Sequence, residues 1–267
     1  MELSSLIGLV LALVSIFVGM ILKGAPLTSL AVPAAYLIII GGTVSTVFVG
    51  FPMSDLKSFP KLVKIFLFKP KTIDKAALVG MFMDWASITR REGLLALESK
   101  VDEIDDDFLR NGMRMIIDGN DQEFVSDVLM EDIHAMEERH RVGAQIFAQA
   151  GMYAPTLGVL GAVVGLIAAL GELEDMNKLA HAIAAAFIAT LLGIFVGYVL
   201  AHPISNKLKR VSKKEVEVRM MMVEGLLSIQ SGVSTIAINQ KLAVFLTPTE
   251  RKKLEEDKGG GSSGQES

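Results

Sequence analysis

The chain has 267 residues, 51% of them hydrophobic, and a mean hydropathy of +0.46, too apolar for a soluble domain of this size. Its net charge of −4 and the lack of a large basic field exclude nucleic acid as the expected partner. With no cysteine and four scattered histidines, disulfides, thiolate metal sites and cysteine nucleophiles are excluded and little remains for zinc or haem. No catalytic constellation stands out, so neither an enzyme nor a cofactor is expected.

Residues 3–22, 24–54, 142–171 and 179–206 contain no Asp, Glu, Lys or Arg. Each stretch is long enough to cross a bilayer, which takes roughly 20 apolar residues in a helix. The first begins at Met1-Glu2 without a basic leader and is too long for a signal-peptide core, so it reads as a retained helix. The expected fold is an all-α membrane protein: four transmembrane helices with a large cytoplasmic helical domain between spans two and three. The segments are a transmembrane hairpin over 1–51, a cytoplasmic helical domain over 52–141, a second hairpin over 142–203, a C-terminal helical segment over 204–258 and a disordered Gly/Ser-rich tail over 259–267.

Orientation follows from the basic residues near the span ends, which are retained on the cytoplasmic side. Lys57, Lys61, Lys64, Lys69, Lys71, Arg139, Arg141, Lys207, Lys209, Arg210, Lys213, Lys214 and Arg219 fall on one side, against Lys23 and Lys178 on the other. Both termini and the middle segment are therefore expected in the cytoplasm.

In the middle segment Leu78, Met81, Phe82, Trp85 and Ile88 recur at the spacing of one buried helix face. A break is expected near Gly93, after which Leu94, Leu95 and Leu97 resume the pattern. Phe108, Leu109, Met113, Ile116 and Ile117 predict a helix closing at Gly119. The acidic run Asp102, Glu103, Asp105, Asp106 and Asp107 reads as its solvated start. Asn120 with Glu123 fits a capping box. From Asp121 onward Phe124, Val128, Leu129, Ile133 and Met136 keep helical spacing with no stop signal, so one helix is expected to run into the third span. Unbroken from 121 to 171, it would be about 75 Å long.

The most informative feature of the spans is an omission. An ion or proton path normally displays an intramembrane ionisable group, and none of the four stretches has a carboxylate, lysine or arginine. A conducting role therefore requires a partner helix to bring the titratable residue. Ala150, Ala154, Gly158 and Ala162 form one four-residue row of small side chains, and Ala185, Ala189, Gly193, Gly197 and Ala201 another. Such rows let backbones approach closely, either between spans three and four or between this chain and its neighbours. Pro155 and Pro203 are expected to interrupt or end their helices. Thr190, deep in span four, either bonds back to its own helix or faces a pore. His181 and His202 flank span four and read as solvated interfacial residues. A solute transporter is disfavoured because no inverted repeat or broken-helix pair is evident; a membrane scaffold stays open.

Three strings then become specific: Arg90-Arg91-Glu92-Gly93-Leu94-Leu95-Ala96-Leu97-Glu98, Tyr153-Ala154-Pro155-Thr156-Leu157-Gly158, and Ala201-His202-Pro203. Together with the topology they make the chain resemble, over nearly its whole length, the MotA/PomA family of flagellar stator ion-channel subunits. The related ExbB and TolQ subunits, proton-driven energisers of outer-membrane processes, usually have three spans and are the runner-up. The resemblance implies residence in the bacterial inner membrane and contact with membrane lipid. It also implies a MotB-like partner with one span, an essential aspartate and a peptidoglycan-binding domain, in a homo-pentamer around two partner chains. Arg90 and Glu98 match the family's charged residues that meet the rotor protein FliG. Pro155 and Pro203 match prolines that couple ion flow to movement, and Thr190 a threonine kept in both ion types. Ala162 stands where sodium-driven relatives carry threonine, which implies that the transported ion is H+.

Overall fold

The computed structural model describes residues 3–68, 73–171, 173–252 and 254. In chain order the helices are α1 (Leu3–Leu22), α2 (Pro33–Tyr36), α3 (Gly42–Gly50), α4 (Met53–Leu56), α5 (Phe59–Leu67) and α6 (Lys75–Glu92). They continue as α7 (Glu98–Val101), α8 (Asp107–Ile117), α9 (Gln122–Leu170), α10 (Met176–Ile194), α11 (His202–Gln230) and α12 (Thr235–Ala243). Short 3-10 turns occupy Leu27–Leu30 and Leu94–Leu97, and π-helical segments occupy Leu37–Gly41 and Phe195–Ala201. No strand occurs among the described residues. Four helical stretches are long and apolar enough to cross a membrane: Leu3–Leu22, Pro33–Gly50, Gln122–Leu170 and Met176–Gln230. The fold class read from the sequence is the one observed.

The chain forms two compact units, one from Met1–Pro70 and Arg139–Val211, the other from Lys71–Glu138 and Ser212–Ser267. The first holds the spans. α1 buries none of its residues, and its Val10, Phe17 and Leu22 side chains stand exposed, as an apolar helix does when lipid rather than protein is its solvent. The second span begins at Pro33, inside the uncharged stretch 24–54. Pro26 precedes a separate 3-10 turn, and Pro33 takes the first helical position, where a missing amide costs nothing. Ala35 and Ile39 pack with Ala154 and Ala189, while Val47, Leu62, Ala144, Ile146, Phe147 and Leu208 form a lower cluster. Lys207 fastens the same end: its Nζ donates to Ser5 Oγ at 2.6 Å and to the Phe66 carbonyl at 2.7 Å.

The second unit has its own core. Leu78, Phe82 and Trp85 of α6 are buried, as their spacing requires, against α8, the start of α9, the end of α11 and α12. Phe82 meets Trp85 edge to face at 5.5 Å. Gly225 of α11 faces Phe82 so closely that a Cβ there would lie 2.6 Å from the ring. Asp74 accepts the Ala76 amide at the start of α6, and Asp106 the Leu109 amide at the start of α8, which gives one member of the acidic run a capping task. Gly93 and Gly119 close α6 and α8 with φ of 88° and 81°.

Three local expectations change. Leu94–Leu97 is a single 3-10 turn in which Leu97 is fully buried and Leu95 is 70% exposed, because the chain bends at Gly93 before a longer helix can form. The cap of α9 is Asp121, whose Oδ1 accepts the Phe124 amide at 2.8 Å. Asn120 instead donates from its side chain to the Met115 carbonyl and closes the preceding helix. The prolines end nothing: Pro155 sits inside the unbroken α9, and Pro203 inside the continuous helical stretch Met176–Gln230. The unbroken α9 is the long helix that the spacing from Asp121 predicts.

Beyond α12, Thr247 and Glu250 form a reciprocal cap around Pro248. The Thr247 amide and hydroxyl both donate to Glu250 Oε2 at 2.8 Å, and the Glu250 amide donates back to Thr247 Oγ1 at 3.3 Å. The bond from the Thr247 amide lowers the Glu250 pKa against an opposing effect of burial, helped by the Thr247 hydroxyl and Lys75.

Candidate functional site

The two small-residue rows meet each other within the chain. A Cβ on Gly158 would lie 2.9 Å from the Ala189 carbonyl, and one on Gly193 2.6 Å from the Ala154 carbonyl. One turn further, a Cβ on Gly197 would lie 2.6 Å from the Gly151 carbonyl and 2.7 Å from Pro155 Cδ. Spans three and four are therefore in backbone contact along this seam, which only glycine and alanine permit.

Pro155 stands at one of the two closest approaches of the seam. It has no amide to give the carbonyl four residues back, that of Gly151, and this same carbonyl faces Gly197. Opposite it, Phe195–Ala201 is π-helical. There the His202 amide donates to the Gly197 carbonyl five residues back, and helix continues on both sides of Pro203. His202 packs on Gly151, where a Cβ would meet its ring at 2.9 Å, and stacks at a tilt on Tyr198 with centroids 5.2 Å apart. Pro155, Gly197, His202 and Pro203 thus belong to one place.

Thr190 is half-buried on α10, and its Oγ1 donates to the Ala186 carbonyl of its own helix at 3.3 Å. Its Cα borders Gly158. Ala162 is half-buried on α9, one turn beyond Gly158, and brings no oxygen. The seam residues Ala154, Gly158, Ala189, Gly193 and Gly197 are all buried.

Arg90 and Glu98 lie in the other unit. Arg90 is in the last turn of α6 and Glu98 is the first residue of α7, with Gly93 and the Leu94–Leu97 turn between them. Both are exposed, and among the described residues neither makes a hydrogen bond or ion pair. They are not neighbours on one helix face but two charges presented on either side of a bend.

Sequence reading missed the π-helical segments and the Lys207 clasp. Gly and Pro spacing hints at the first only after the partner helix is known. Nothing in the string marks Lys207 off from its basic neighbours.

Residues 6–93 match the motility protein A N-terminal family, and residues 100–221 match the MotA/TolQ/ExbB proton channel family. Motility protein A of Bacillus subtilis is 52% identical over 256 residues, covering 96% of this chain and 95% of that protein. Motility protein A of Helicobacter pylori is 37% identical, covering 95% of this chain and 98% of that one. The solved structure of the flagellar MotAB stator complex from Bacillus subtilis matches with a TM-score of 0.88 at 52% identity, over 94% of this chain and 98% of that chain. On sequence and fold together, the chain belongs to the motility protein A family of proton channel proteins.

Proposed function

We propose that this chain is the ion-channel subunit of a bacterial flagellar stator and turns inward proton flow into rotation. The observation that carries the reading is the four uncharged spans of a chain that belongs to a proton channel family. A MotB-like partner with one span supplies the protonatable aspartate, and five copies of this chain surround two copies of the partner in the inner membrane, with both termini cytoplasmic. The similarity to a solved MotAB stator complex supports the MotB-like partner.

A proton from outside neutralises the partner carboxylate, whose charge otherwise sets which helix it packs against most favourably. Each charge carried through the membrane potential releases about 2.3 kcal/mol per 100 mV, enough to bias a step in one direction. Release to the cytoplasm occurs beside Thr190 and Pro155, and the close seam at Gly193 and Gly197 passes the resulting shift from span three to span four, with Pro155 and Pro203 as its hinges. Proton rather than sodium is supported by Ala162, which has no oxygen to replace a hydration shell. Arg90 and Glu98, exposed and unpaired, meet FliG on the rotor.

Charge reversal tests the rotor contact. Arg90→Glu and Glu98→Lys are expected to abolish or sharply slow swimming while the protein stays in the membrane at its usual level; undiminished swimming overturns the assignment. Replacing sodium by potassium at constant proton-motive force is expected to leave rotation unchanged.

A further inference from the structure

Helix α5 follows the second span and lies where two other spans end. Leu62 packs on Gly143, where an added Cβ would fall 2.8 Å from it, and Phe59 stacks on Phe147 with ring centroids 5.3 Å apart. Residues 143 and 147 open the uncharged stretch of span three, directly after Arg141. Leu208 joins the same cluster as Leu62, and Lys207, the residue that terminates the uncharged stretch of span four, donates to the Phe66 carbonyl of α5. Three independent chain positions thus put α5 at one membrane–water boundary.

Its two faces differ. Leu62 is buried, and Val63 and Ile65 are partly so, against the spans. Lys57, in the turn before the helix, and Lys61 and Lys64 on it follow the spacing i, i+4, i+7 of one face; all three are exposed and none is paired among the described residues. Lys209 and Arg210 on α11, just past the contact with α5, are likewise exposed and unpaired. No Asp or Glu occurs from 56 to 73, and Asp55 already accepts from Ser54. Phe59 and Phe68, 44% and 50% exposed, flank the lysines with large apolar surface.

A short helix with an apolar face packed inward, lysines on the other face and exposed phenylalanines at its ends is built to lie in an interface. Long lysine stems reach headgroup level from such a position. We propose that the lysine face of α5 binds the headgroups of anionic phospholipids in the leaflet it lines. The occupant is lipid because the face lies at the bilayer boundary, carries only positive charge and is bordered by aromatic side chains that a soluble anion does not use.

Native mass spectrometry of the full-length chain, released from micelles that offer phosphatidylglycerol and phosphatidylcholine in equal amounts, tests this. A roughly tenfold preference for phosphatidylglycerol is expected, falling to about twofold or less in Lys57→Gln/Lys61→Gln/Lys64→Gln and kept in the matching triple Arg variant. Raising salt from about 0.1 to 0.5 M should erase the preference of the unaltered chain, and that arm decides the matter even where the Gln variant fails to insert. Equal retention of both lipids, a salt-insensitive preference, an unchanged Gln variant, or complete displacement of phosphatidylglycerol by about 10 mM inorganic phosphate at constant ionic strength each overturns the proposal.

Discussion

Glycine means different things at different places in this chain. At Gly197 a methyl group would press on the Gly151 carbonyl at 2.6 Å and on Pro155 Cδ at 2.7 Å, atoms that cannot swing aside. Gly197→Ala should therefore separate spans three and four, cost about 1–3 kcal/mol and lower the melting temperature in detergent by several degrees. Gly19→Ala, on the same scale of chemistry, should be neutral or stabilising by up to about 1 kcal/mol, because nothing lies within 4 Å of the new methyl. Equal effects from the two variants would contradict the close seam. Sequence alone showed both rows of small residues but not which glycine was indispensable, since that depends on the register between helices.

Glu250 offers a second residue-level test. Its folded-state pKa lies below the ordinary value because the Thr247 amide donates to it, so its capping contribution is complete above the unfolded pKa of about 4.3. It is lost as the pH falls through the depressed folded value. Hydrogen exchange at residues 247–252 should accelerate in that acid range beyond its intrinsic change, and Glu250→Gln should remove this added pH dependence. An unaltered acid profile in the variant would refute the assignment.

Among the elements, α6 and α9 were readable because apolar residues at 3.6 spacing have one economical solution, a buried helix face. Leu78, Phe82 and Trp85 show it in the first case, Leu129, Ile133 and Met136 in the second. The misread elements were short or irregular. Leu94–Leu97 has helical composition but only one turn between Gly93 and α7, and Asn120 competes with Asp121 for the same cap, a contest set by backbone geometry. Pro155 and Pro203 looked like breaks because proline lacks the helical amide, yet their helices run on; the π segments lack a sequence signature. Pro155→Ala returns an amide to the Gly151 carbonyl and should make α9 locally more rigid, with slower hydrogen exchange around residues 151–155. Proton flux through the assembled stator should fall at the same time, by tenfold or more on the hinge reading. Faster flux in a more rigid helix would contradict that reading. Arg90 and Glu98 were picked out only by resemblance; as charges they look like any solvated pair, and the structure adds that they flank a bend and are unpaired.

At the scale of the molecule, the chain divides its chemistry between a unit whose spans carry no charge and a unit rich in charge with its own apolar core. The four spans were legible because hydropathy acts over whole segments and does not depend on local packing. On the proposed reading the spans, whose uncharged stretches hold no carboxylate, lysine or arginine, provide walls and hinges, and a partner chain brings the carboxyl that carries the proton. Proton flux into vesicles reconstituted with this chain alone, and with this chain plus its single-span partner, measures that division directly. Flux is expected only when both chains are present and should vanish when the partner's intramembrane aspartate is replaced by asparagine. Voltage-driven proton flux through this chain by itself would contradict it.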